Sequence, residues 1–574
     1  MIIYIFLTLA ITSQICGFNP DIDDVPMVSL PNLGILQGTT TTSAFSGRKI
    51  FQFLSVKYAE TTSGEHRFKP PRKAPGWEGI RSVSRYGLPC PQLRLITQFS
   101  TRQFAPDVED CLTLSVHTGN LTSKNPVMFF IHGGGFYDGS DANHTPEFLL
   151  EKDIVLVVVQ YRLGPLGFAS LKTEGIPGNM GLMDIGLALE WVQDNIVHFG
   201  GDPTNVTVFG ESAGAAAISA LMYSPRIAEG LFHRVILQSG ASSAPWVWDK
   251  DPVEHVREIA AIAGCDPKAG KNHTNVMPLL EAERCFRSLD VWTLLRSYHS
   301  HDMHTTATRS VTDVGGSRLV VGDFHGYLPQ TPWELIKDGK IRRNISMMAG
   351  VVKHEGTFLL TVIYDALKAM NRLDDPYYTK YKMLETVNKI LGVDDPTGML
   401  VGYQVRSLFS TEQLSSGKFE EMVDGLTDLA GAALIKAPLL REAQANSVVN
   451  PNGTFLYSFE YRGQQTRFGF GANTSHYPFD GGVHHEDDLL YLFPSPGEPE
   501  LNEEDTKMAK LMVDLWTSFA ATGVPYSSAL GVKWEAMKDY AGPYLHIDGK
   551  PRLGANFYEE FTVASDEKKR PGGV

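Results

Sequence analysis

Between residues 126 and 237, short apolar runs alternate with segments of helical periodicity, and this alternation is the feature that most restricts the fold. Two segments, 181–199 and 213–222, place apolar side chains at helical spacing. The apolar runs have the length of strands and lie at 127–131, 154–161, 206–209 and 235–237. Runs without polar alternation are typical of a parallel sheet buried on both faces. The sequence therefore predicts an α/β fold with a large, mostly parallel, twisted central sheet flanked by helices.

The rest of the chain fits one domain with insertions. Residues 250–340 are less regular and predict an inserted, mostly helical part, and the tract Thr39–Thr42 predicts an edge strand. We find no stretch with the composition of a linker. We therefore expect a single domain over 18–574, preceded by a leader at 1–17.

That leader is predicted from the apolar residues 1–11, which small and polar residues follow up to Gly17. The run is too short to span a bilayer and resembles the central part of a secretory signal peptide. No later segment reaches 18 apolar residues, and the C-terminus carries no apolar anchor signal. We expect a secreted, extracellular protein without a membrane anchor.

Cysteine usage agrees with export. Beyond Cys16 in the leader, the chain has Cys90, Cys111, Cys265 and Cys285. An even number in an exported chain predicts two disulfides, and short spacing favours Cys90–Cys111 and Cys265–Cys285 over the two crossed pairings. Each would close a loop of about 20 residues, worth roughly 3 kcal/mol.

Seven Asn-x-Ser/Thr sequences are candidates for N-glycosylation. Two of them, at Asn205 and Asn344, open apolar runs that predict buried strands, so we interpret these as chance matches. The expected glycosylation sites are Asn120, Asn143, Asn272, Asn452 and Asn473.

The net charge of −14 argues against nucleic acid as a partner. Nucleic acids and anionic membrane surfaces are bound by clusters of Lys and Arg, which release counterions. The histidines outside the motifs below show no metal-ligand spacing, and we expect neither a metal nor a cofactor.

The sequence Gly210-Glu211-Ser212-Ala213-Gly214 lies between a predicted strand and a predicted helix. This is the context of a nucleophile elbow, in which glycines permit a sharp turn with the serine at its tip. The helix N-terminus adds a partial positive charge beside the hydroxyl. Ser212 is therefore the candidate nucleophile.

A second glycine-rich segment, His132-Gly133-Gly134-Gly135, directly follows the predicted strand 127–131. Glycines let backbone N–H groups approach a substrate oxygen closely, so the segment predicts donors for an oxyanion. The N–H group of Ala213 would complete that set.

Together these segments resemble the type-B carboxylesterase and cholinesterase family of α/β-hydrolases, over nearly the whole chain after the leader. Besides the serine elbow, the matching segments are 67–71, 109–112, 132–136, 178–184 and 199–203. The resemblance implies hydrolysis of carboxylic esters, with Arg67 and Glu109 as a structural ion pair. It also implies Gly134, Gly135 and Ala213 as the oxyanion donors.

The same resemblance implies the remaining catalytic residues. Glu355 would be the acid, and the histidine would lie in the segment 482–488. The chemistry alone leaves His484 and His485 open, but the spacing of the family selects His485. The order Ser212, Glu355, His485 is that expected for this fold.

Departures from the family favour a general carboxylesterase most like those secreted by insects. No tryptophan lies between Cys90 and Cys111, where cholinesterases bind a quaternary ammonium group. Glu211 and Trp246 are the candidate substrate-binding residues, and Trp246 matches the acyl-pocket tryptophan of the family. We expect a small-molecule ester with an apolar acyl or alcohol part.

Two other functions remain open at this point. One is a hormone-degrading enzyme like the juvenile hormone esterases, which often carry Gln at the position of Glu211. The other is a non-catalytic adhesion or binding protein on the same fold. The presence of Ser212, Glu355 and His485 together argues against the second.

Overall fold

The computed structural model describes residues 25–93, 107–265, 277–393, 399, 402–403, 407–471, 473–494 and 499–569. Its strands are β1 (Met27–Leu30), β2 (Gly34–Gln37), β3 (Thr39–Thr42), β4 (Lys49–Lys57), β5 (Ile80–Ser82), β6 (Thr113–Thr118), β7 (Asn125–Ile131), β8 (Val155–Val159), β9 (Gly201–Glu211), β10 (Arg234–Gln238), β11 (Ser346–Val352), β12 (Thr454–Phe459), β13 (Tyr544–Ile547) and β14 (Arg552–Gly554).

The α-helices alternate with groups of these strands along the chain. They are α1 (Gly164–Phe168), α2 (Met180–Asn195), α3 (Ala213–Tyr223), α4 (Pro252–Ile262), α5 (Leu279–Ser288), α6 (Val291–Thr308), α7 (Pro332–Lys337), α8 (Thr357–Ala369), α9 (Pro376–Tyr381), α10 (Met383–Ile390), α11 (Thr411–Ser416), α12 (Val423–Gly431), α13 (Ala437–Val449), α14 (Glu503–Thr522) and α15 (Val563–Lys569).

Eleven strands form the central sheet, in the order β14-β13-β12-β11-β10-β9-β7-β8-β6-β4-β3. The strands from β8 through β13 pair in parallel, and antiparallel strands extend the sheet at both edges. A separate sheet contains β1, β2 and β5. The predicted α/β architecture is confirmed, as is Thr39–Thr42 as an edge strand.

Both faces of the central sheet are covered, which is why its strands lack polar alternation. Along β7, the side chains of Val127, Phe129 and Ile131 enter one apolar cluster. Met128 and Phe130 enter another on the opposite face. Consecutive side chains point to opposite faces, so every position of such a strand must be apolar.

The predicted insertion between residues 250 and 340 is mostly helical, with α4 to α7. Helices α4 and α6 pack on each other beside the sheet and share an apolar cluster that includes Val256 and Leu294. Among the described residues, no helix combines the length and the apolar character needed to cross a bilayer.

Both predicted disulfides are present. Cys90 and Cys111 are joined with their Cα atoms 5.0 Å apart, and Cys265 and Cys285 with theirs 5.8 Å apart. The crossed pairings are thereby excluded.

The candidate glycosylation residues differ in accessibility. Asn120, Asn143, Asn452 and Asn473 are exposed, while Asn272 and the leader 1–17 lie outside the described residues. Asn205 lies in β9 and donates to the carbonyl of Ala521 at 3.3 Å. The run after Asn344 forms the buried strand β11 as expected, but the strand starts at Ser346 and Asn344 itself is exposed before it, so burial does not argue against its glycosylation.

Candidate active site

Ser212 lies at the turn that joins β9, the middle strand of the eleven-stranded sheet, to α3. Its backbone has φ 54° and ψ −120°, a strained conformation for a residue with a side chain, and its N–H group donates to the carbonyl of Gln238 at 2.8 Å. A Cβ atom on Gly214 would lie 2.0 Å from the carbonyl oxygen of Ile131. Glycine at this position therefore lets the start of α3 approach the end of β7, and the turn holds Ser212 at the carboxyl edge of the sheet.

The glycine segment after β7 lies against this turn. A Cβ atom on Gly133 would be 3.1 Å from Cβ of Ser212. Gly134 and Gly135 have φ values of 95° and 60°, which favour glycine. Their N–H groups have no acceptor among the described residues, and Ala213, the first residue of α3, has an N–H that the helix does not use. The N–H groups of Gly134, Gly135 and Ala213 thus remain available as hydrogen-bond donors next to the serine turn.

Two further residues hold the segment in place. The hydroxyl of Tyr161 donates to the carbonyl of His132 at 2.8 Å. The guanidinium of Arg318 donates to the carbonyl of Gly135 at 2.6 Å. The sequence analysis missed Arg318, because it lies in the irregular insertion and belongs to no motif.

Glu355 and His485 are 130 positions apart in the sequence but are in contact in the structure. Nδ1 of His485 lies 2.7 Å from Oε2 of Glu355. The other carboxylate oxygen of Glu355 accepts the N–H of Val352 at 2.9 Å. Phe358 stacks on the imidazole with ring centroids 4.8 Å apart. Both catalytic candidates are buried, so the imidazole is held in one orientation and Nε2 is directed away from Glu355.

The adjacent histidine has a different environment. Nδ1 of His484 hydrogen-bonds with the carbonyl of His485 at 2.7 Å, and its ring packs on Phe468 and Phe470. Burial lowers the pKa of His484 to about 3. Of the two histidines left open by the chemistry, His485 is the one in contact with Glu355.

The charge of His485 depends on its neighbours. Burial alone would lower its pKa, but the charge and hydrogen bond of Glu355, with smaller contributions from Glu486 and Asp488, raise the pKa above the ordinary histidine value. The carboxylate of Glu355 therefore favours the protonated form of His485.

Glu211, directly before the serine, is completely buried. Its Oε1 lies 3.0 Å from Nε2 of His485, yet the contact lacks hydrogen-bond geometry, and neither carboxylate oxygen has a hydrogen-bond partner among the described residues. Burial, followed by the charges of Glu486, Asp488 and Glu355, raises the pKa of Glu211 well above its ordinary value. This carboxyl group lies beside the reacting nitrogen of the base.

Trp246 lies on the other side of the glycine segment. Its ring centroid is 6.2 Å from that of Phe136, which follows Gly135, and its Nε1 donates to the carbonyl of Leu434 at 2.9 Å. The guanidinium of Arg318 lies 5.8 Å from the same ring. Trp246 therefore lies between Arg318 and Phe136, two residues that contact or adjoin the glycine segment.

A structural ion pair lies apart from these residues. Nε of Arg67 donates to Glu109 at 2.8 Å, which confirms the predicted pairing.

Comparison with known proteins agrees with this arrangement. A family model described as the carboxylesterase family matches residues 24–564. The chain belongs to the carboxylesterase family. This places it among carboxylic ester hydrolases with an α/β-hydrolase fold, as the resemblance implied.

Individual relatives come from insects and mammals. The chain is 29% identical to carboxylesterase 1F of Mus musculus over 99% of its own length and 98% of that protein. It is 29% identical to esterase FE4 of Myzus persicae, over 84% of this chain and 82% of the esterase. It is 31% identical to glutactin of Drosophila melanogaster over 91% of its length, but it spans only 49% of glutactin.

Proposed function

We propose that this protein is a secreted serine carboxylesterase that uses Ser212, Glu355 and His485. The observation that carries the proposal is the 2.7 Å contact between Glu355 and His485. Nε2 of the same imidazole lies 3.0 Å from Glu211, the residue directly before Ser212. A hydroxyl is a poor nucleophile unless an oriented base accepts its proton. The buried, hydrogen-bonded imidazole supplies such a base.

In the first half of the reaction, Oγ of Ser212 attacks the ester carbonyl carbon while Nε2 of His485 accepts the hydroxyl proton. The carbonyl electrons move onto the oxygen, where the N–H groups of Gly134, Gly135 and Ala213 stabilise the negative charge. The carbonyl re-forms, the C–O bond to the alcohol breaks, and the alcohol leaves with the proton from His485.

In the second half, water replaces the alcohol. His485 accepts a proton from the water, the resulting hydroxide attacks the acyl carbon, and the carboxylic acid leaves as Oγ of Ser212 recovers its proton. Glu355 fixes the imidazole and stabilises its cation in both halves. No metal or cofactor enters this scheme.

The substrate proposed is a small ester with an apolar acyl or alcohol part. Phe136 directly follows the glycine segment, and the ring of Trp246 lies 6.2 Å from its ring, so apolar side chains accompany the proposed oxyanion donors. Apolar walls with a few placed polar groups are typical of small-molecule sites. We interpret Glu211 as part of the same site.

Export is proposed on independent grounds. Both cysteine pairs are joined, as is usual in oxidising compartments. Four candidate glycosylation residues are exposed, and the apolar start of the sequence resembles a signal peptide. We therefore propose 1–17 as the leader and 18–574 as a single secreted domain.

The decisive experiment measures hydrolysis of p-nitrophenyl butyrate by the full chain recovered from the medium of eukaryotic cells. Replacing Ser212 with Ala should lower kcat by about 10⁶-fold, because the nucleophile is removed. An organophosphate should label the wild type at Ser212 and leave the variant unlabelled. Ser415→Ala, at an exposed serine, serves as the control and should match the wild type.

A folded protein with neither activity nor labelling would overturn the proposal and favour the binding protein. For substrate choice, turnover of a juvenile hormone, a short aliphatic ester and acetylthiocholine is compared on one preparation. We expect the short aliphatic ester to be hydrolysed and acetylthiocholine to be a poor substrate. Preference for the juvenile hormone would instead favour the hormone-degrading enzyme.

A further inference from the structure

The geometry points to a binding site for a divalent first-row transition-metal ion, such as Zn²⁺, at His255, Glu258 and His301. His255 and Glu258 are three residues apart on α4 and so lie on one face of that helix, while His301 comes from α6. One ligand atom from each residue lies within 4.8 Å of the other two. The site is separate from the catalytic residues and does not depend on the proposed hydrolysis.

The first supporting observation is the environment of His255. Its Nδ1 lies 2.6 Å from Oδ1 of Asp249. Asp249 is buried and is held by the N–H groups of Gly316, at 2.7 Å, and Asp251, at 3.1 Å. A carboxylate that accepts from one imidazole nitrogen orients the other nitrogen toward a metal, and this arrangement accompanies most histidine ligands.

The second observation concerns His301. The residue is only 2% exposed, and its Nε2 lies 2.8 Å from Oε2 of Glu258. Its Nδ1 is buried without a hydrogen-bond partner among the described residues. The rings of His255 and His301 lie with centroids 5.4 Å apart. Two buried imidazoles therefore lie beside one carboxylate, and one nitrogen of His301 makes no hydrogen bond to the described residues.

Glu258 keeps one carboxylate oxygen on the side of the histidines. Arg309 donates to Oε1 of Glu258 at 2.7 Å, whereas Oε2 lies 2.8 Å from Nε2 of His301. An ion bound between the histidines would therefore meet a carboxylate oxygen that Arg309 leaves open.

The donor set decides the class of metal. Two imidazole nitrogens and one carboxylate oxygen suit Zn²⁺ and its neighbours, with water as a fourth ligand. Ca²⁺ and Mg²⁺ prefer sets composed of oxygen atoms. We therefore expect selectivity for the transition metals over the alkaline-earth ions.

A second cluster, formed by Glu460, His546 and Glu560, is a weaker candidate. Nδ1 of His546 faces both acids, so it contributes a single nitrogen. Glu560 already accepts from the hydroxyls of Ser458 and Tyr544 at 2.7 and 2.8 Å. This cluster is already satisfied by the protein itself, and we assign no ligand to it.

The test measures Zn²⁺ binding to the full chain by titration calorimetry and Co²⁺ binding by its visible absorption. The wild type and the catalytically inactive Ser212→Ala variant should both bind one ion. His301→Ala and His255→Ala should weaken binding by roughly tenfold or more, because each removes a ligand. Glu258→Gln, which retains the shape of the side chain, should weaken it also.

Helix α6 offers matched controls in its exposed histidines, His299 and His304. Alanine at either position should leave the affinity unchanged. Equal loss in these controls would identify binding by surface histidines and overturn the assignment. Absence of saturable binding in the wild type, or equal competition by Ca²⁺, would also overturn it. The thermal unfolding temperature of each variant without metal shows that the compared proteins are folded.

Discussion

At the scale of single residues, the site depends on one carboxylate and one imidazole that fix each other. Glu355 is completely buried and uses one oxygen for the backbone and the other for His485. Such a carboxylate selects the tautomer of the base and stabilises its cation. Removing its charge should therefore change both the rate and the pH at which the base titrates.

We predict that Glu355→Gln lowers kcat by about 10⁴-fold. The acid limb of the kcat/KM profile reports protonation of His485 in the free enzyme. Glu355 raises the pKa of His485, so the neutral amide should lower that pKa and move the acid limb to lower pH. The measurement is the pH dependence of kcat/KM for a p-nitrophenyl ester.

Glu385→Gln, at an exposed glutamate, should leave both the rate and the profile unchanged. If the acid limb of Glu355→Gln stays in place, Glu355 is not the group that raises the pKa of His485.

At the scale of elements, α2 is attached to the end of β8 by a buried ion pair. Both oxygens of Asp184 accept from the guanidinium of Arg162, at 2.8 and 2.7 Å, and one also accepts from its backbone N–H at 3.0 Å. Both side chains are almost completely buried. When one member of a buried ion pair is removed, water cannot reach the remaining charge to solvate it.

We predict that Asp184→Ala lowers the free energy of unfolding by about 3–5 kcal/mol, because it leaves the guanidinium of Arg162 buried without its anion. Asp194 on the same helix provides the control, since its contact with Lys73 at 2.9 Å is exposed. Asp194→Ala should cost less than about 1 kcal/mol. Denaturant unfolding of both variants measures the difference. Equal losses would contradict a special role for the buried pair.

At the scale of the whole molecule, the helical insertion contacts the candidate active site through Arg318. Arg318 donates to Gly135, which lies 183 positions away in the sequence. Its guanidinium also lies over the ring of Trp246. Its hydrogen bond goes to the carbonyl of Gly135, which leaves the N–H donors of the glycine segment available. Arg318 therefore acts as a positioning residue.

We predict that Arg318→Leu lowers kcat by roughly tenfold, less than the 10²–10³ lost with a whole oxyanion donor. The donors remain but are held less firmly, so KM should change little and the acid limb of the pH profile should not move. Arg318→Lys should restore part of the rate. Arg296→Leu, at an exposed arginine of the insertion, is the control. An unchanged kcat in Arg318→Leu would contradict the positioning role.

The parallel core of the sheet, the serine turn and the glycine segment could all be predicted from the residues. These features are local, because an apolar run buried on both faces and a glycine at a close approach must appear in the residues themselves. The position of Ser212 between β9 and α3 therefore followed from the pattern alone. Short spacing likewise favoured the disulfide pairs that the structure contains.

Contacts between side chains far apart in the sequence could be read from the folded chain alone. Without the family resemblance, Glu355 is one of 65 acidic residues in the sequence. The structure adds its contact with His485. The sequence does not reveal the cluster of His255, Glu258 and His301, because these residues come together only when α4 packs against α6. It does not reveal Arg318 for the same reason. Contacts of this kind depend on how helices and loops pack, and no local periodicity records them.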